Sequence, residues 1–371
     1  MNMNFYQNTQ LFTGKGCVQA EGARVAKLGA RCVVVTSKTA AKKCGALTDV
    51  TSLLDEQGIL YELYNNVGQN PAMASCMEAG NLARTFGADF VIGIGGGSAI
   101  DAAKAAAVIA TNTAIDHTSL IKSKFVNNPL PVVAVGTTAG TGAEVTGVAV
   151  ITDYDGEKKS LRGHCLYPVL AYGDPSYTMS LSDYFTRSTA IDTLAHCVES
   201  YFNQNSNEIS STFAVRGVQL VMDVFAEMAA TFGASLTYEQ REKLYYGSLY
   251  GGYALTVTST VFPHGVGLYL SENHGVPHGL ACGIFQPYLL SHCCKKVPER
   301  YNAFFKAVGM TPEHYLELLA SIMPKVSVCI SEEEILALES RWESAPFVTR
   351  TPGGMPPEKV TKILCELFIS K

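Results

Sequence analysis

Short β-branched runs alternate with longer Ala-rich segments in the first half of the chain. Four such runs occupy residues 31–36, 59–64, 88–94 and 131–135. Their length and composition predict strands, and intervening segments such as residues 72–86 and 98–110 are long enough for crossover helices. This alternation predicts an α/β domain over residues 1–175, with a parallel sheet covered by helices.

The pattern changes after Gly173-Asp174-Pro175. Strand signals almost vanish, and residues 183–202 and 209–232 show the spacing of long helices. We therefore predict a second, all-helical domain over residues 176–371. A cleft between two unlike domains is a common place for a cofactor and a substrate to meet.

The composition is that of a large globular enzyme. Hydrophobic residues make up 47% of the 371 positions and charged residues 16%, which is too apolar for a disordered chain. The net charge of −5 is small and no run of five Lys or Arg occurs, so nucleic acids and anionic membranes are not expected partners. Without a signal-peptide pattern or about 18 consecutive apolar residues, a cytoplasmic enzyme is expected.

The eleven cysteines do not suggest a disulfide framework. Their number is odd and no CxxC pair occurs. They are interpreted as reduced thiols, and the adjacent Cys293 and Cys294 as packing residues, because neighbouring cysteines bridge only with strain.

A glycine-rich loop connects a predicted buried strand to a predicted helix. Gly95, Gly96 and Gly97 are followed by Ser98 and Asp101. Glycines let the backbone approach a ligand closely, and a helix N-terminus offers free N–H groups to a phosphate. The spacing matches neither the usual Rossmann fingerprint nor a P-loop. A tight turn without a ligand is therefore the alternative.

A second loop with several hydroxyl groups follows the next predicted strand. It runs from Gly136 to Thr146 and contains Thr137, Thr138 and Thr141. Two such loops at the ends of adjacent strands favour a dinucleotide over a bare turn.

Histidines are concentrated in one part of the second half. His264, His274 and His278 fall within fifteen residues, in a chain with eight histidines. Upstream, Asp192 and His196 lie four residues apart, so on a helix they would share a face. Imidazoles and a carboxylate can hold a divalent metal with a position left open for substrate. Satisfied loop histidines and a structural Asp/His pair are the alternatives.

Taken together, these motifs resemble those of the iron-containing, or group III, alcohol dehydrogenases, which share a fold with glycerol dehydrogenase and dehydroquinate synthase. The resemblance runs from Tyr6 to the last predicted helices. Its motifs are Asn70-Pro71, GGGSAIDAAK from Gly95, TTAGTGAEVT from Thr137, Asp174-Pro175, Asp192 with His196, and His264 with Pro277-His278-Gly279.

The resemblance implies two cofactors. A divalent metal, iron(II) or zinc, would be held by Asp192, His196, His264 and His278. NADP(H) or NAD(H) would be held at its pyrophosphate by Gly96, Gly97 and Ser98. The remaining cofactor-lining residues implied are Asn70, Asp101, Thr137, Thr138, Thr141, Thr146, Lys159 (or its neighbour Lys158) and Thr178.

The implied reaction is hydride transfer between the nicotinamide and a small, short primary alcohol or aldehyde, in which a metal favours loss of the alcohol proton and polarises the carbonyl. Glycerol or diol oxidation on the same fold is an alternative, and a dehydroquinate synthase-like lyase is another. Loss of catalysis to give a nucleotide-binding regulatory or storage protein is a third, opposed by the presence of all four proposed ligands. A homodimer or higher homo-oligomer is expected.

One position departs from the family pattern. Many members carry a further histidine four positions after the first loop ligand, where this chain has Leu268. His274 is the candidate to take over its proton-relay role, and a plain loop or core histidine is the alternative.

The end of the second predicted strand bears on cofactor choice. NAD-specific relatives often have an aspartate at the place of Ser37, where it accepts from the ribose 2′-OH. Ser37 can instead donate to a 2′-phosphate and Lys38 adds positive charge. This predicts that NADP(H) is accepted and preferred. The alternative is that Ser37 only caps the following helix.

Overall fold

The structure, a computed structural model, describes residues 5–230 and 235–369. The chain forms two compact units. The N-terminal unit comprises Tyr6–Ser182 and Leu236–Tyr245, and the C-terminal unit comprises the other described residues, which are Phe5 and residues 183–230, 235 and 246–369.

This division differs from the predicted boundary at residue 175. Tyr177 lies in the hydrophobic core of the N-terminal unit, and its hydroxyl donates to Asp49 at 2.7 Å. Tyr245, from the far downstream segment, donates to the buried Glu144 at 2.8 Å. Both tyrosines thus bind their segments to the N-terminal unit, which periodicity could not indicate.

The N-terminal unit has a six-stranded parallel sheet. Its strands are β1 (Gln10–Thr13), β2 (Arg31–Thr36), β3 (Leu60–Tyr64), β4 (Phe90–Gly95), β5 (Val132–Gly136) and β8 (Leu170–Gly173). Between β5 and β8 the chain forms a separate antiparallel hairpin of β6 (Val148–Thr152) and β7 (Lys158–Arg162). The order across the sheet is β1-β8-β5-β4-β2-β3, and all pairings within it are parallel.

Helices cover both faces of this sheet. They are α1 (Cys17–Glu21), α2 (Ala40–Lys43), α3 (Ala46–Glu56), α4 (Met73–Phe86), α5 (Gly97–Thr111) and α6 (His117–Ile121). Val33 and Val35 of β2 enter a core cluster with α4 and α5, whereas Cys32 and Val34 enter a second cluster with α1 and α3. Because successive side chains of a strand point to opposite faces, a run that is apolar throughout suits a sheet covered on both sides.

The C-terminal unit is helical in its described residues. Its helices are α7 (Asp183–Phe202), α8 (Glu208–Ala230), α9 (Tyr238–Thr258, whose first turns belong to the N-terminal unit), α10 (Phe262–Asn273), α11 (His278–Gly283), α12 (Gln286–Lys296), α13 (Pro298–Val308), α14 (Pro312–Ile322), α15 (Glu332–Ala337), α16 (Glu339–Glu343), α17 (Pro346–Arg350) and α18 (Pro357–Phe368).

The predicted fold class is confirmed. Helix α7 has the predicted bounds, and α8 differs by one residue at its start, while Phe232 at its predicted end lies outside the described residues. Among the described helices, only α8 has the length and hydropathy of a membrane span. It packs against α7, α13 and α14 within this unit, and these contacts account for its apolar face.

Candidate active site

The predicted cofactor residues of the N-terminal unit follow the carboxyl ends of neighbouring strands. The register pairs Gly95 of β4 with Gly136 of β5, and Gly136 with Gly173 of β8. Ser37 follows β2, which pairs with β4 on its other side. The loops after these four strands therefore emerge along one edge of the sheet, where ligands of open α/β sheets bind.

The triple glycine lies where two of these loops touch. A Cβ atom at Gly96 would lie 2.8 Å from Thr138 Oγ1, and one at Gly97 would lie 2.8 Å from Thr141 Cγ2. Gly97 also begins α5, a helix of 15 residues. The glycines thus leave a cradle of backbone at a helix N-terminus, which suits a pyrophosphate. The same clash, however, would require glycine even in a bare turn.

Asn70 and Ser98 are brought together beside this cradle. The Asn70 backbone N–H donates to Ser98 Oγ at 3.3 Å, and Asn70 has a left-handed φ of 59°. Asparagine tolerates this conformation better than most residues. The sequence separation of the two residues gave no direct sign of this contact.

The side chains of Asp101 and Lys104 bond to the backbone at the end of the threonine-rich loop (residues 136–146) and at the start of β6. Lys104 is fully buried and its Nζ donates to the carbonyls of Ala143, Thr146 and Val148, each at 2.8 Å. Asp101 Oδ2 accepts from the Val150 backbone N–H at 2.9 Å. Burial raises the pKa of Asp101 to about 6, against the lowering effects of Lys104 and that N–H. The sequence analysis gave no role to Lys104, although its i,i+3 spacing from Asp101 indicates that the two side chains lie on the same face of a helix.

The other predicted cofactor residues have described contacts within the protein. Thr137 is buried and its backbone N–H donates to Gly95 O at 2.9 Å, while Thr178 is buried and its hydroxyl donates to Pro175 O at 2.7 Å. Lys159, on the β6–β7 hairpin, forms ion pairs with Asp155 and Glu157. Cofactor contact by these residues stays a prediction, and for Lys159 the described partners are acidic side chains.

Ser37 does not cap the helix that follows it. Helix α2 begins at Ala40 and its N-cap residue is Thr39. Ser37 is partly buried directly after β2. The alternative role in helix capping is therefore wrong, and the reading of a ribose 2′ group stays a prediction.

The four proposed metal ligands converge within the C-terminal unit. Asp192 and His196 lie one turn apart on α7, His264 is on α10 and His278 begins α11. Asp192 Oδ1 lies 3.8 Å from His196 Nε2, 3.5 Å from His264 Nε2 and 3.8 Å from His278 Nε2. The separations among Asp192, His264 and His278 suit donor atoms that share one ion at bonds of about 2.0–2.2 Å, and these three belong to a group whose donor atoms all lie within 4.8 Å of one another, whereas His196 is outside that group.

Two buried atoms of this group need a partner. Within residues 5–230 and 235–369, Asp192 Oδ1 and His264 Nε2 are buried without a hydrogen-bond partner. Unpaired buried polar atoms are costly, so their presence calls for an explanation. A cation between a carboxylate oxygen and an imidazole nitrogen satisfies both, and the donor set therefore fits a divalent metal.

The charges around the site favour a cation. Burial raises the pKa of Asp192, but His196, His278 and His264 outweigh it and hold that pKa below its usual value. Burial lowers the pKa of His264, but Cys282, Glu199 and Asp192 outweigh it and raise that pKa. Buried carboxylates that stabilise positive charge on a neighbouring imidazole would also stabilise a metal ion.

Sequence reasoning missed Glu199. Its Oε1 lies 2.5 Å from His264 Nδ1, and its Oε2 accepts from the backbone N–H groups of Val261 and His264 at 2.8 and 3.3 Å. Burial raises the pKa of Glu199, while His264 and these amides lower it. The signal was available, because residues 192, 196 and 199 repeat along one face of a helix.

Cys282 was also missed. It is buried on α11, one turn after His278, and groups with Asp192, His264 and His278 so that one donor atom from each lies within 4.8 Å of the others. The four-residue spacing from His278 repeats that of Asp192 and His196.

Two family models cover most of the chain. The model described as "Iron-containing alcohol dehydrogenase" matches residues 8–175, and that of the "Fe-containing alcohol dehydrogenase family, C-terminal" matches residues 186–329. The chain belongs to the iron-containing alcohol dehydrogenase family. This membership confirms the resemblance seen in the sequence and the predicted cofactor classes, a divalent metal and a nicotinamide dinucleotide.

Curated relatives in this family include alcohol and aldehyde enzymes. Alcohol dehydrogenase 4 of Schizosaccharomyces pombe is 30% identical over 78% of this chain and 68% of its own length. Lactaldehyde reductase of Escherichia coli is 28% identical over 94% of this chain and 86% of its own length.

Solved structures share the fold along nearly the whole chain. An iron-containing alcohol dehydrogenase from Thermotoga maritima has a TM-score of 0.90 and 34% identity, covering 98% of both chains. A sulfoacetaldehyde reductase from Bifidobacterium kashiwanohense, solved in complex with NAD+, has a TM-score of 0.87 and 26% identity, covering all of both chains.

His274, the predicted stand-in for the family histidine missing at Leu268, has other partners. It follows α10, and its Nε2 lies 3.2 Å from Glu334 Oε1 and 3.3 Å from the Tyr269 hydroxyl. It is not part of the group of donors around Asp192 in the described residues. The expectation of closeness to the metal therefore lacks support in its contacts, and the relay role stays a prediction.

Proposed function

We propose that this chain is a metal-dependent, NAD(P)(H)-linked alcohol dehydrogenase or aldehyde reductase acting on a short primary alcohol or its aldehyde. One observation carries the proposal. In the part of the chain that the structure describes, Asp192 Oδ1 and His264 Nε2 are buried without a hydrogen-bond partner and lie 3.5 Å apart, beside further side chains of the metal-ligating kinds.

Asp192, His196, His264 and His278 would hold iron(II) or zinc. The metal would supply Lewis-acid chemistry, favouring loss of an alcohol proton or polarising an aldehyde carbonyl. Glu199 accepts the Nδ1 proton of His264 and so presents Nε2 as the free donor. Glu199 thus fixes the orientation and the protonation of His264 for metal binding.

The glycine cradle at the start of α5 would hold the pyrophosphate. Gly96, Gly97 and Ser98 offer backbone and hydroxyl donors there, next to the positive end of the helix dipole. Ser37 and Lys38 would receive a 2′-phosphate, which is why we propose NADP(H) as the preferred cofactor. Lys104 holds the end of the neighbouring threonine-rich loop through the carbonyls of Ala143 and Thr146.

Substrate choice within the family is the open half of this proposal. The names of relatives give an alcohol, a long-chain alcohol, lactaldehyde and 1,3-propanediol as substrates. A diol or glycerol is therefore the second candidate. The relatives named above are dehydrogenases and reductases, which favours hydride transfer over the lyase alternative. Cytoplasmic location and assembly into a homodimer or larger homo-oligomer are part of the same proposal.

The proposal is tested by measuring metal content and turnover together. The purified enzyme, loaded with iron(II) or zinc, is assayed against a panel of short aldehydes and diols with NADH and NADPH. We expect reduction of at least one short aldehyde and its loss in His264→Ala. His292→Ala is the matched control, because His292 is also buried in the C-terminal unit but bonds to Pro352 O. Normal turnover in His264→Ala would contradict the mechanism.

A further inference from the structure

We propose that Cys282 is a metal ligand in this enzyme, adding one sulfur donor to the oxygen and nitrogen donors of the site. The inference rests on the proposed metal centre. It concerns a residue of this chain that the family resemblance did not assign.

The first support is distance. The donor atoms of Asp192, His264, His278 and Cys282 all lie within 4.8 Å of one another. Cys282 Sγ lies 3.9 Å from His278 Nδ1 and 4.0 Å from His278 Nε2. A sulfur at about 2.3 Å and a nitrogen or oxygen at about 2.0–2.2 Å, on opposite sides of one ion, are separated by up to about 4.5 Å. The sulfur thus reaches the ion that its neighbours would share after a shift of a few tenths of an ångström.

The second support is independent of the thiol. Asp192 and His264 are only 4% and 6% exposed. In the described residues, neither Asp192 Oδ1 nor His264 Nε2 has a hydrogen-bond partner, and the two atoms lie 3.5 Å apart. They show that the space next to Cys282 is built for a cation. Cys282 itself is fully buried, so its sulfur has no aqueous partner to prefer.

The placement follows from the local sequence. His278 and Cys282 are one turn apart on α11, so their side chains rise from the same face. Gly279, between them, packs so closely against Ser188 O of α7 that a Cβ atom would lie 1.8 Å from it. This close approach brings the α11 face down onto the α7 face that carries Asp192.

The chemistry has a consequence for metal choice. Thiolate is a soft ligand that favours zinc over iron(II), whereas carboxylate and imidazole accept both. Binding would release the thiol proton to solvent. Replacing Cys282 by serine should therefore weaken zinc retention relative to iron(II) by at least about tenfold, the lower bound for loss of even an outer partner of a metal site.

The deciding experiment is X-ray absorption at the zinc edge of the zinc-loaded, full-length enzyme. We expect one sulfur scatterer at about 2.3 Å. It should disappear in Cys282→Ser and persist in Cys293→Ser, a matched control because Cys293 is equally buried in the C-terminal unit but lies outside the donor group. Cobalt(II)-loaded protein gives a second readout, a sulfur-to-cobalt charge-transfer band lost only in Cys282→Ser.

The wild-type spectrum decides the matter even if the serine variant fails to fold. Zinc surrounded only by oxygen and nitrogen at about 2.0–2.2 Å would overturn the role of Cys282 and leave the metal centre intact. Failure of the wild-type protein to bind any divalent metal would overturn the proposed function together with this inference.

Discussion

Glu199→Gln is the sharpest test of how the metal centre is held. The substitution keeps size and shape, and it removes only the charge and half of the acceptor capacity. In the structure one carboxylate oxygen faces His264 Nδ1 at 2.5 Å, and the other accepts two backbone N–H groups. Every group facing this side chain is therefore a donor or can be one.

An amide cannot serve both sides. If its oxygen faces the backbone N–H groups, its NH2 faces His264 and forces Nδ1 to act as an acceptor. The proton then sits on Nε2, which can no longer bind a metal. If the amide is reversed, its NH2 meets two backbone donors and leaves them unsatisfied, at about 1–3 kcal/mol for each buried group.

The expected cost to metal binding follows from this conflict. Loss of an outer hydrogen-bond partner of a metal-binding histidine typically weakens metal affinity by about 10–100-fold. That range corresponds to about 1.4–2.7 kcal/mol. Turnover should fall in proportion when metal is limiting and recover in part with excess metal, because the substitution acts through occupancy.

The assay is a competition for zinc against a chromophoric chelator, followed by turnover at saturating metal. Glu144→Gln is the matched control, because Glu144 is also a buried glutamate with one side-chain donor, Tyr245, but belongs to the N-terminal unit. It should leave the zinc Kd unchanged. A zinc Kd for Glu199→Gln within about twofold of the parent would refute the tautomer argument, provided circular dichroism shows both variants folded.

Three further predictions concern the N-terminal unit. Gly97→Val should raise the cofactor KM by at least about tenfold, because its Cβ would meet Thr141 and the pyrophosphate place; a normal KM would mean that the glycines only form a turn. Ser37→Asp should shift the NADPH/NADH ratio of kcat/KM toward NADH by at least about tenfold, or 1.4 kcal/mol. A ratio that does not move, or a parent that strongly prefers NADH, would show that Ser37 does not read the 2′ group. Lys104→Met should lower the free energy of unfolding by about 3–5 kcal/mol, since it leaves Asp101, two buried carbonyls and one partly buried carbonyl without their donor. Denaturant unfolding measures this loss, and Lys124→Met is the control because Lys124 is exposed. A loss below about 1 kcal/mol in Lys104→Met would contradict the described hydrogen bonds.

The sequence alone determined the class of the fold and gave the candidate ligands of the site. Short runs that are apolar and β-branched throughout, such as Val33–Val35, favour strands covered on both faces, and the spacing of Asp192 and His196 places them on a common face of a helix. Motif resemblance then named the family. These features are local, so they can be read without knowing what packs against them.

Only the tertiary structure decided the partners that lie far apart in the chain. The contact of Glu199 with His264 spans 65 residues, and that of Lys104 with Thr146 spans 42. The grouping of Cys282 with Asp192 depends on two helices packing closely at Gly279, and the contact of His274 with Glu334 depends on where α15 returns. Hydrophobic periodicity indicates which face of a helix is buried, but the packing of the core decides which other helix that face contacts.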